Sequence, residues 1–165
     1  MMKKWLSTLV LVMVLALAAS AQPIPKWKLA DLKSAIADAK EPTVFNFWAT
    51  WCKPCVEEIP YFQSMVAKYK AEGVKLVLVS LDMTEAYPKK IADFAAKRKF
   101  TAPIVFLDET NADLFCPVVD SSWSGAIPAS LFVNPKTGYR FFAEEQLKPE
   151  QLEDRIRAML GRKEH

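Results

Sequence analysis

Apolar positions recur along this chain in two rhythms, one of three to four residues and one nearly continuous. In "KLADLKSAIADAK", Leu29, Leu32, Ala35, Ile36 and Ala39 follow the first rhythm and predict a short amphipathic helix. Pro42 ends it, and the run from Val44 to Trp48 predicts a buried strand. From Pro54 to about Glu72 the spacing is helical again, with Val56, Ile59, Phe62, Met65, Val66 and Tyr69 on one face, Pro60 inside and Gly73 as the cap. Val74 to Asp82 predicts a strand covered on both faces. "PKKIADFAAKRKF" predicts a helix beginning at Pro88, "APIVFLD" a short strand, and "ETNADLF" a turn or two of helix. "PASLFVN" and "GYRFFAE" predict two strands of a hairpin around "PKTG", and "KPEQLEDRIRAML" a closing helix. "QPIPKW" reads as an irregular lead-in. The order α-β-α-β-α-β-(α)-β-β-α predicts an α/β fold, a central mixed sheet with helices on both faces.

The N-terminus changes the picture of where this domain works. "MMKK" is followed by an apolar run from Trp5 to Ala18 and by Ala19 and Ala21 in an A-x-A arrangement. That is the pattern of a secretory signal peptide. The run is short for a spanning helix, which disfavours the competing reading of an uncleaved N-terminal anchor. The expected division is a signal peptide over 1–21, cleaved after Ala21, and a single domain over 22–165, periplasmic or otherwise exported. Lys3 and Lys4 would leave with the signal, taking the net charge from +3 to +1. So small a charge points to neither nucleic acid nor an anionic membrane surface. Export also sets the redox setting, because disulfides persist outside the cytoplasm. Of three cysteines, at most two pair within the chain and one thiol is left over.

Candidate chemistry is concentrated in "FNFWATWCKPC". Phe45, Phe47 and Trp48 read as core of the strand, whereas Trp51, in the following loop, reads as a surface partner. Cys52 ends that loop where a helix starts, so unpaired N–H groups and the helix dipole favour a thiolate there, as does neighbouring Lys53. Cys55, one turn further in, would be covered and act second, and Pro54 stiffens the first turn without an N–H to lose. A zinc site needs about four ligands, and only Cys116 and His165 remain to supply them, so no metal is expected. A purely structural disulfide would close too small a loop to restrict the unfolded chain much. A redox-active pair is the preferred reading, with no other cofactor.

Two landmarks carry a family resemblance. "VFNFWATWCKPCVEEIP" resembles the active-site segment of exported TlpA/ResA-like thiol–disulfide oxidoreductases of the thioredoxin superfamily, and "GAIPASLFVNPKTG" resembles their cis-proline segment. The resemblance covers about Thr43 to Leu160. It implies a thioredoxin-like fold with Cys52 as the attacking and Cys55 as the resolving cysteine. It makes Pro128 the cis-proline and the backbone of Ile127, beside Trp51, the surface on which a substrate strand pairs. Asn46 stands where thioredoxin buries an aspartate, so the acid assisting Cys55 is sought at Asp82 or Glu85. The segment "NADLFCPVVDSSWSGAIP" is longer than its family counterpart. It places Trp123 near the cis-proline loop, as a candidate to shape the substrate groove, and Cys116 as a buried small hydrophobe or a third redox player.

The function implied is reduction of disulfide-bearing client proteins by a monomer, recharged by a membrane thiol donor. In the resembling families the clients include apocytochrome c and copper-assembly proteins. The alternatives are a disulfide oxidase or isomerase, and a non-catalytic client-binding module built around Trp51, Trp123 and Ile127. The Lys53-Pro54 dipeptide resembles that of reducing members. A peroxiredoxin is disfavoured by Ala49, three residues before Cys52, where a threonine belongs.

Overall fold

The computed structural model describes residues 23–162. The signal-peptide expectation falls on residues 1–21, outside the described residues. Among the described residues no helix is long and apolar enough to cross a membrane.

Six strands form one sheet. In chain order they are β1 (Lys26–Trp27), β2 (Thr43–Trp48), β3 (Lys75–Ser80), β4 (Ile104–Leu107), β5 (Ala129–Asn134) and β6 (Tyr139–Ala143). In space they run β1-β4-β3-β2-β5-β6. The first four are parallel, and β5 and β6 are antiparallel to their neighbours. The helices are α1 (Leu29–Ala37), α2 (Lys53–Lys68), α3 (Lys89–Arg98), α4 (Ala112–Val119) and α5 (Pro149–Met159).

Alternation along the central strands divides the core into two layers. Val44 and Trp48 of β2 pack with Ile59 and Phe62 of α2, Ile91 of α3 and Ile156 of α5. Phe45 and Phe47 face the other way, toward Leu32 and Ile36 of α1 and Phe115 and Val119 of α4. All six residues of β2 are buried, which is why this strand reads as an unbroken apolar run. The fold is α/β with a mixed sheet covered on both faces.

Two local features differ from the reading by pattern. The lead-in contributes β1, an edge strand held by Phe106 N–H to Pro25 C=O (2.9 Å) and Asp108 N–H to Trp27 C=O (2.7 Å). Two residues are too few to show a strand period. In addition, α2 stops at Lys68, and a short 3₁₀ turn over Lys70–Glu72 follows. Gly73 caps that turn rather than α2, with φ +80° in the region that favours glycine.

Candidate active site

The site forms where β2 hands over to α2. Ala49 C=O accepts the Cys52 N–H (3.1 Å), which turns the chain back on itself. Cys52 then serves as the N-cap of α2, and the Cys55 N–H points at its Sγ (3.4 Å). Pro54 lies in the first helical turn, where its missing N–H costs nothing. Cys52 and Cys55 are joined in a disulfide. Cys55 is wholly buried, Cys52 nearly so, and Trp51 stands 67% exposed beside them.

Facing the disulfide is the cis peptide bond between Ile127 and Pro128. The Ile127 carbonyl oxygen lies 3.8 Å from Cys52 Sγ. The residues just before it are held from two sides. Trp123 Nε1 donates to the Ala126 carbonyl (2.8 Å). The Glu144 carboxylate accepts the N–H groups of Ser124 (3.1 Å) and Ala126 (3.0 Å), as well as the Ser124 hydroxyl. The Ser124 hydroxyl, and after it the two N–H groups, hold the Glu144 carboxyl below its usual range.

Trp123 therefore sits elsewhere than in the groove. Its indole is buried among Phe47, Phe115 and Phe142, with ring centroids 4.8, 5.4 and 5.7 Å away. Its hydrogen bond to the Ala126 carbonyl ties it to the cis-proline loop.

The carboxyl that accompanies the pair is not one of the acids the sequence pattern singles out. Glu58 follows Cys55 by three residues, on the buried stripe of α2 that continues through Ile59 and Phe62. It is completely buried, and burial pushes its pKa up to about 7. Asn46 Nδ2 (2.7 Å) and the Leu147 N–H (3.3 Å) donate to its two oxygens and oppose that rise. Asn46 also donates to Ser130 Oγ on β5 (3.0 Å). The amide at the thioredoxin aspartate position is thus the partner of an acid placed one strand-to-helix step away.

Asp82 and Glu85, the acids expected in this role, are placed otherwise. Asp82 is buried, but its oxygens take the Thr50 N–H (3.1 Å), the Thr50 hydroxyl (2.6 Å) and the Ser80 hydroxyl (2.8 Å). It braces the turn between Trp48 and Cys52. Glu85 is exposed on a 3₁₀ turn over Thr84–Ala86. Lys53 points outward and pairs with Glu57 at 3.8 Å, an exposed contact of small energetic weight. Among the described residues no three His, Cys, Asp or Glu side chains cluster as metal ligands would.

This architecture has relatives. The AhpC/TSA family profile matches residues 20–138, a span that holds both Cys52–Cys55 and Ile127–Pro128. The chain belongs to the AhpC/TSA family. Thiol-disulfide oxidoreductase ResA of Oceanobacillus iheyensis is 34% identical over 110 residues, 67% of this chain and 53% of ResA. The chain thus spans about half the length of that relative. Thioredoxin-like protein YneN of Bacillus subtilis is 32% identical over 124 residues, 64% of this chain and 72% of YneN. The solved structure of StoA from Bacillus subtilis superposes with a TM-score of 0.56 at 32% identity, covering 72% of this chain and 85% of StoA. The fold is thioredoxin-like.

Within this AhpC/TSA-family chain, Glu58 had a sequence signal that composition hides. A glutamate one turn beyond Cys55, on the same face as Ile59 and Phe62, has nowhere to go but the interior. Cys116 is the free thiol, buried in α4, and burial chiefly pushes its pKa up, with Glu144 and Asp113 adding to the rise.

Proposed function

We propose that this chain is an exported thiol–disulfide oxidoreductase that reduces the disulfides of client proteins. The observation that carries the reading is the placement of Cys52, at the N-terminus of α2 and 3.8 Å from the Ile127 carbonyl of a cis-proline loop. Relatives named thiol-disulfide oxidoreductase support it.

In the reduced protein, the Cys52 thiolate is favoured by the free N–H groups of α2. A client strand lies along Ile127 and Pro128 beside Trp51, pairing by its backbone. Cys52 attacks one client sulfur, and the other leaves as a thiolate, which gives a mixed disulfide. Glu58 takes the proton of Cys55, whose thiolate then attacks Cys52 Sγ. The client sulfur bonded to Cys52 leaves as a thiolate, and Cys52–Cys55 closes as a disulfide. Two electrons have passed to the client. A membrane dithiol returns them, since an exported protein has no cytoplasmic reducing pool to draw on. Disulfide-bearing clients of the apocytochrome c or copper-assembly kind fit the reading through the family resemblance. The reducing direction is supported by the Lys53-Pro54 dipeptide, and export by the pattern of residues 1–21.

The test is covalent trapping. Cys55→Ser protein mixed with a disulfide client is expected to hold it through Cys52 in a complex that dithiothreitol releases. Cys52→Ser protein is expected to hold none. No complex with Cys55→Ser would leave only a binding module.

A further inference from the structure

Beside the disulfide, the loop after β3, the turn before α4 and the cis-proline loop enclose a cavity of about 180 Å3. Trp51, Met83, Phe115 and Ile127 form apolar walls, while Asp82 and Glu109 add two carboxylates. No lysine or arginine lines it. Its place relative to the chemistry is fixed by two of those walls. Trp51 directly precedes Cys52, and the Ile127 carbonyl lies 3.8 Å from Cys52 Sγ. Extended chain advances about 3.3 Å per residue, so a side chain in this cavity belongs within a residue or two of a cysteine bonded to Cys52.

The walls also say what that side chain is. Trp51 and Met83 are 67% and 62% exposed, the two most exposed large apolar side chains described, and together they present unfilled apolar surface at the mouth. Asp82 is immobilised by Thr50 and Ser80. Glu109 is held by one oxygen only, which accepts the Asn111 N–H at 2.9 Å. Its second oxygen has no hydrogen bond or ion pair among the described residues. A purely apolar occupant would strip water from the Glu109 carboxylate and return nothing to it. An acidic occupant would be repelled. A lysine or arginine lays its stem along Trp51 and Met83 and brings its charge to Glu109. The Trp51 face offers it a cation–π contact as well.

We propose that this cavity is a specificity pocket for a lysine or arginine side chain within two residues of the client's reactive cysteine. The inference rests on the oxidoreductase reading above. Glu109 is its specificity-determining residue, contributed by the turn before α4.

Three cystine peptides test it, identical except for lysine, norleucine or glutamate flanking the first cysteine. Rate constants for their reduction by the reduced full-length protein are measured at low salt. The wild-type protein is expected to prefer lysine over norleucine about fivefold, the weight of one partly desolvated charge pair, with glutamate slowest. Glu109→Gln is expected to lower that ratio to about two, and Glu109→Lys to bring it below one. Equal rates for all three peptides in the wild type, or a ratio that Glu109→Gln leaves unchanged, overturn the pocket while the oxidoreductase reading stands. If the wild-type protein reduces none of the peptides, the oxidoreductase reading fails first and takes the pocket with it.

Discussion

Glu58 and Asn46 meet in the interior, with Asn46 Nδ2 donating to the Glu58 carboxylate at 2.7 Å. One residue comes from the strand before the disulfide and the other from the helix that begins with it. The contact ties a titratable group of pKa about 7 to the frame that holds Cys55.

Glu58→Gln is therefore expected to slow the second chemical step. With the base gone, mixed disulfide accumulates and turnover falls about 100-fold, the usual scale of general base catalysis. In the wild type the rate of resolution should rise with pH through about 7, as Glu58 ionises. In Glu58→Gln that rise should vanish. Rapid-quench sampling of the mixed disulfide across pH 5 to 8 checks both.

The same carboxyl makes stability depend on pH. Its folded pKa of about 7 lies above the ordinary glutamate value of 4.5, so between those values the folded state holds more protons than the unfolded state. Stability falls as pH rises through that window, and the cost is complete above about 7. The shift corresponds to ~3 kcal/mol. Denaturant unfolding of the disulfide form at pH 5 and pH 8 should show a drop of that order for the wild type, with a flatter profile for Glu58→Gln.

How much of this was legible in the sequence depends on the length of each signal. The apolar runs of β2 and β3 and the three-to-four spacing of α2 carry enough residues to declare themselves. Cys52 and Cys55 declare themselves by local chemistry, and Pro128 by the family resemblance of its segment. β1 escaped notice because a two-residue edge strand is made by its partner β4, not by its own pattern. Trp123 read as a wall of the substrate groove because it lies close in sequence to Pro128. Its burial depends on Phe47, Phe115 and Phe142, which lie far from one another in the chain. Glu58 was masked by Glu57, its exposed neighbour in "VEEIP". Only the helical face separates the two.

The loop before Pro128 depends on Trp123 and Glu144 acting on opposite sides of Ala126. Trp123→Phe removes one hydrogen bond worth about 1 kcal/mol, and Glu144→Gln weakens the three that its carboxylate accepts. Each is expected to raise the KM for a client about fivefold. The reduction potential of the cysteine pair should stay where it was, since neither residue touches it. A shifted potential would mean that the loop acts on the disulfide itself.

Cys116 is buried without a disulfide partner. Cys116→Ala is expected to cost about 1 kcal/mol of stability as a small core deletion. Client reduction should proceed at the wild-type rate, which steady-state turnover measures directly.

The most direct test of the central claim is the reduction potential of Cys52–Cys55, from equilibration of the protein with thiol buffers. A value near about −270 mV, like that of thioredoxin, is the predicted result and sends electrons from this pair to client disulfides. A value near about −120 mV, that of a strong oxidant, would contradict the account and make the chain a donor of disulfides.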